Sequence, residues 1–145
     1  MKILRVLSLL AFTLLTVHAG ESNWLTNYDA ALAEAKKANK PLLIDFTGSD
    51  WCPPCKMMEK QVFAAPVFQE YAAKDLILLK ADFPKLKALD AEQQKANDAL
   101  AQKFQIEGFP TLVVLDGSGK ELARNVGYQP GGPEAVIDWI RKSSK

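Results

Sequence analysis

The spacing of apolar residues changes several times along the chain, and each change predicts an element. From Asn23 to Asn39 it is helical: Tyr28, Leu32 and Ala35 recur three and four apart among strong helix formers, and Pro41 ends the segment. Leu42–Phe46 is a short apolar run that suits a buried strand, with one polar member, Asp45. Cys55–Phe63 returns to helical spacing with Met58 and Val62 on one face; Pro66 interrupts it and Val67–Ala73 resumes it. Leu76–Ala81 reads as a second buried strand. Leu86, Leu89, Gln93, Ala96, Leu100 and Phe104 then recur at steps of three and four, which predicts one long helix or two short ones, with Asp90 and Gln93 as an internal capping pair. Thr111–Leu115 is a third strand, Asp116-Gly117-Ser118-Gly119 a turn, and Glu121–Val126 its hairpin partner. Pro133 suits the first turn of a last helix, with Val136, Ile137 and Ile140 as its apolar face.

Strands alternating with helices, followed by a hairpin, predict an α/β fold: a central mixed sheet flanked by helices on both faces. The first two crossovers are expected to be parallel and the last strand pair antiparallel. The 83–104 segment is read as scaffold, with a partner surface as the alternative.

The first residues follow a different pattern. Lys2 and Arg5 precede an apolar run from Val6 to Val17, and Val17-His18-Ala19 places small residues before a plausible cut. That is the pattern of a secretory signal peptide cleaved after Ala19, leaving residues 20–145 as one domain with one core. The run is shorter than the roughly 20 apolar residues of an ordinary membrane-spanning helix; an uncleaved anchor is the alternative. Cleavage removes Lys2 and Arg5, so the 18 basic residues fall to 16 against 17 acidic ones. Near-neutral charge with scattered lysines gives no nucleic-acid signature. His18 is the only histidine and leaves with the signal, which excludes Cys–His and Ser–His catalysis.

The chemistry then rests on Trp51-Cys52-Pro53-Pro54-Cys55-Lys56, which holds both cysteines of the chain. A structural zinc site takes four ligands, and two are on offer. A structural staple across so short a loop stabilises by only about 2 kcal/mol. A redox pair explains more. Cys52 follows a strand and opens a helix, where free N–H groups and the helix dipole favour a thiolate. Cys55 lies one turn further on, within reach of a disulfide. Cys52 is then the exposed attacking sulfur and Cys55 the buried resolving one. Pro53 and Pro54 supply no N–H, so the Cys52 thiolate is stabilised moderately rather than strongly, which makes the couple more reducing.

Asp45, WCPPCK at 51–56, Lys80 in the second strand, and Gly108-Phe109-Pro110-Thr111 before the third together resemble the thioredoxin family over about Asn23–Lys142. The resemblance implies the thioredoxin fold, with Cys52 as nucleophile and Cys55 as resolving cysteine. It implies a cis Pro110 facing the disulfide, with the substrate peptide adding as a strand beside it and touching Phe109. Trp51, Pro53 and Pro54 would belong to the substrate rim. Asp45 would be the buried acid that exchanges a proton with Cys55, its pKa raised by desolvation, and Lys80 would pair with it. The chain departs from thioredoxin in three places. Gly48-Ser49-Asp50 adds a residue before Trp51, Phe109 stands where a smaller aliphatic residue is usual, and the stretch from Lys80 to Pro110 is longer, which implies a longer helix.

With the signal sequence, these features resemble secreted bacterial thioredoxin-like proteins. The expectation is a periplasmic thiol–disulfide oxidoreductase that reduces or isomerises disulfides in exported proteins. It needs no cofactor or metal and is expected to be a monomer. A membrane-bound electron donor is implied, since a reductant in an oxidising compartment must be recharged. A thiol oxidase of the same fold and a non-catalytic peptide-binding module are the competing readings.

Overall fold

The computed structural model describes residues 23–145; the expected signal segment lies outside them. The elements are β1 (Trp24–Leu25), α1 (Tyr28–Ala38), β2 (Leu42–Thr47), α2 (Pro53–Met58) running on into a π-helical turn (Glu59–Phe63), α3 (Pro66–Asp75), β3 (Ile77–Asp82), α4 (Ala91–Lys103), β4 (Thr111–Leu115), β5 (Glu121–Val126) and α5 (Gly132–Ser143). The strands form one mixed sheet in the order β1-β3-β2-β4-β5.

Side chains alternate across the central strands and divide the core in two. Leu43, Leu78, Leu112 and Val114 pack against Met58, Val62 and Phe63, Phe68 of α3, and Val136, Ile137 and Ile140 of α5. Leu42, Ile44, Phe46, Leu79 and Val113 pack against Ala31 and Ala35 of α1 and Leu100 and Phe104 at the end of α4. This is the thioredoxin fold, with helices on both faces of the sheet.

Three expectations change. The first helix starts at Tyr28, capped by Asn27, whose Oδ1 accepts from the Ala30 N–H at 2.9 Å; the residues before it form β1, paired in parallel with β3. The helical spacing that begins at Leu86 does not become helix until Ala91: residues 83–90 form a loop, and Asp90 is the N-cap of α4, accepting from the Gln93 N–H at 2.9 Å. The second crossover is not parallel: β3 runs parallel to β2, but β4 runs antiparallel to it. The reason is how α4 lies. Mid-helix Asn97 donates to the carbonyl of Asp82, the last residue of β3, at 2.8 Å, and Phe104 at the helix end packs beside Phe46 near the end of β2. The chain therefore leaves α4 at the sheet end where it entered, and β4 must run back.

Candidate active site

The WCPPCK segment bridges the end of β2 and the start of α2. A turn brings it there, with the N–H groups of Trp51 and Cys52 both donating to the Gly48 carbonyl, at 3.3 and 3.0 Å. Cys52 is the N-cap of α2, and Pro53 and Pro54 occupy the first helical positions, where a missing N–H costs no helical bond. The cysteines are joined as a disulfide with their Cα atoms 5.3 Å apart. Both are 3% exposed, so the expected contrast between an open Cys52 and a buried Cys55 is absent. Cys52 sits at a helix corner with its side chain turned onto Cys55, which leaves little of either residue free. What separates them is their surroundings. Cys55 Sγ receives the Gly48 N–H at 3.5 Å and lines a cavity of about 170 Å³ with Thr47, Glu59 and Lys80.

Asp45 lies on the β2 face that carries Leu43, and Leu43 packs in the cluster of Met58 and Val62, so the carboxyl points under α2. It is 2% exposed, and its Oδ1 has no hydrogen-bond partner. Burial pushes its pKa from 3.8 up to about 7; Lys80 works against the rise, and Glu59 and Asp82 add to it. Lys80 is the cross-strand neighbour of Asp45 in β3, but the expected pair does not form. The Lys80 ammonium meets Glu59 Oε2 at 2.8 Å instead. Glu59 is half exposed where the π turn begins, so Lys80 keeps its charge near water while its stem stays within the structure.

On the other side of the bridge is an aromatic rim. The Phe109–Pro110 peptide is cis, and Thr111 Oγ1 donates to the Gly108 carbonyl at 2.7 Å, fixing the approach to it. The Phe109 ring stands edge-on to Trp51 at 6.0 Å and beside Phe83 at 5.1 Å. The Trp51 indole N–H donates to the Phe83 carbonyl at 2.7 Å. Gly48 makes room for the indole: a Cβ there would come within 2.6–2.8 Å of its ring atoms.

Cys52 and Cys55 thus lie just past the end of β2, which carries Asp45 two residues before its last position, and the Trp51 ring meets Phe109 beside the cis Pro110. Sequence reasoning missed Gly48, Glu59 and Phe83. Glu59 had a signal, since it lies four residues after Cys55 and so on the same helical face. A larger, open depression of about 680 Å³ lies away from the cysteines, between α1 and the β4–β5 turn; its Asp116 is engaged by Ser118 and Lys120 of that turn. Among the described residues, no three His, Cys, Asp or Glu side chains cluster as a metal site.

The sequence profile of the thioredoxin-like domain family matches residues 28–143. The chain is 35% identical over 129 residues to the disulfide bond reductase DsbH of Chlamydia pneumoniae, covering 89% of this chain and 76% of that protein. It is 37% identical over 94 residues to the thiol:disulfide interchange protein DsbD of Cronobacter sakazakii, spanning 14% of that longer protein. Among solved structures it resembles a DsbH oxidoreductase with a TM-score of 0.81 at 33% identity, covering 89% of this chain and 88% of that one. A thioredoxin of Nicotiana alata aligns with a TM-score of 0.54 at 28% identity, over 81% of this chain and 85% of that one. The chain belongs to the thioredoxin-like domain family, as a thiol–disulfide oxidoreductase with a disulfide-forming pair at Cys52 and Cys55.

Proposed function

We propose that the protein is exported, with a signal peptide cleaved after Ala19, and that its dithiol form reduces or isomerises disulfides in exported proteins. The observation that carries the reductive direction is Cys52 at an N-cap followed by two prolines. The first two helical positions offer no N–H to a thiolate, so the reduced form gains little and gives up its electrons readily. Similarity to a disulfide bond reductase supports the same direction.

In this reading the Cys52 thiolate attacks a substrate disulfide, forming a mixed disulfide and releasing one substrate thiolate. Asp45, ionised, takes the proton of Cys55. The Cys55 thiolate, held by the Gly48 N–H, attacks Cys52 Sγ, closes the Cys52–Cys55 bridge and frees the second substrate sulfur. The substrate gains two electrons and, after protonation, two protons. Trp51, Phe109 and Pro110 hold the substrate segment, with Pro53 and Pro54 at the exposed helix corner. A membrane-bound electron donor recharges the pair, and the chain acts as a monomer.

The direction is tested by running both half-reactions. The dithiol form is expected to reduce insulin disulfides catalytically when dithiothreitol recharges it, and the disulfide form to oxidise a dithiol peptide slowly. Fast oxidation with poor reduction would make the protein a thiol oxidase.

A further inference from the structure

The departure from thioredoxin at 48–50 is joined to the 83–90 loop, which lies within the longer Lys80–Pro110 stretch. The Asp50 carboxylate accepts three consecutive backbone N–H groups, from Lys85 at 2.9 Å, Leu86 at 2.8 Å and Lys87 at 3.1 Å. Asp82, at the end of β3, accepts from the Ser49 N–H at 3.0 Å and hydroxyl at 2.6 Å, and Lys87 Nζ lies 3.4 Å from its second oxygen. The Phe83 N–H donates to the Thr47 carbonyl at 2.8 Å, and the Lys85 ammonium sits 3.7 Å from the Trp51 ring centroid. The loop before Cys52 thus fixes the loop after β3.

What this clamp displays is Leu86, which is 81% exposed and sits between two lysines. A single exposed leucine is ordinary. A leucine held out by three charge-assisted bonds, beside the tryptophan that precedes the reactive cysteine, is not accounted for by folding. Three acids near the site are engaged within the protein, Asp50 by the loop, Asp82 by Ser49 and Lys87, and Glu59 by Lys80, while Glu107, two residues before Phe109, is exposed. Lys56 and Lys60 are exposed and line the cavity beside Cys55, and Lys85 is exposed over the Trp51 ring.

We infer that the 83–90 loop is a recognition finger, which selects oxidised proteins carrying apolar and acidic side chains next to the reactive cysteine. The segment read as scaffold therefore divides: α4 is scaffold, and the loop before it meets the substrate. This inference rests on the reductase reading, and its test separates the two.

The test compares second-order rates for reduction of three substrates: a small aromatic disulfide, a disulfide peptide with leucine and glutamates flanking its cysteine, and the same peptide with lysines for the glutamates. The acidic peptide is expected to react about tenfold faster than the basic one at low salt, with the preference lost at high ionic strength. Leu86→Ser is expected to lower the rate for the acidic peptide, relative to that for the small disulfide, by about tenfold, the effect of losing one buried apolar contact. Equal rates for the two peptides, or an unchanged ratio in Leu86→Ser, would overturn the recognition role while leaving the reductase reading intact. Failure to reduce even the small disulfide would overturn both.

Discussion

Replacing Cys55 with alanine is expected to convert a transient intermediate into a stable product. Cys52 still attacks, but no second thiol releases the mixed disulfide. The variant should accumulate covalent adducts with oxidised protein substrates that dissolve on adding dithiothreitol. Cys52→Ser should form none and should reduce insulin at the background rate, because a serine hydroxyl stays protonated where a thiolate is needed. Neither result is open to a folding explanation of any size. The bridge closes a short loop, worth about 2 kcal/mol at most in the loop-entropy account, while both core clusters lie outside it. Thermal unfolding of both variants checks this. Adducts forming on Cys52→Ser and not on Cys55→Ala would reverse the roles assigned to the two sulfurs.

Asp45→Asn is expected to stabilise the fold at alkaline pH while slowing catalysis. Burial raises the Asp45 carboxyl from 3.8 to about 7 in the folded protein. Between these values the folded chain holds a proton that the unfolded chain has lost, so stability falls as pH rises through this window and levels off above about 7. At 1.36 kcal/mol per pKa unit, the charged carboxylate costs about 4 kcal/mol above pH 8. The asparagine side chain carries no charge, so the variant should gain that amount there and nothing below about pH 4. Denaturant unfolding at several pH values measures the difference directly. In the proposed mechanism the same substitution removes the base that serves Cys55. Turnover at pH 7 should fall by on the order of a hundredfold, and the limb of the pH–rate profile near 7 should disappear. An unchanged profile would leave Asp45 a structural carboxylate only.

The strands β2, β3 and β4 were legible because each is an apolar run bounded by Pro, Gly or Asp, and β5 followed from the turn at 116–119; Asp45 stood out as one acid inside such a run, and the resemblance gave it a role. β1 was not legible, since two residues carry no periodicity. The direction of β4 was hidden as well. It depends on the bond from Asn97 to the Asp82 carbonyl, a contact between segments that spacing does not report. The cysteine pair, Trp51 and the Phe109–Pro110 step were readable from local motif. The partner of Lys80 was not. In the register of β2 and β3 it faces Asp45, but the π turn brings Glu59 within reach, and the exposed ion pair spares Lys80 the desolvation that pairing with the buried acid requires. The function of the 83–90 loop was masked because Leu86 and Leu89 fit a helical period, whereas the Asp50 carboxylate takes the N–H groups that a helix would have used.

The claim that the pair runs reductively is tested most directly by its equilibrium reduction potential, measured against a glutathione or dithiothreitol series. The account predicts a value near or below about −230 mV, in the range of thioredoxin-like reductants. A value of about −120 to −180 mV, the range of oxidases and isomerases, would contradict it and the role given to Pro53 and Pro54.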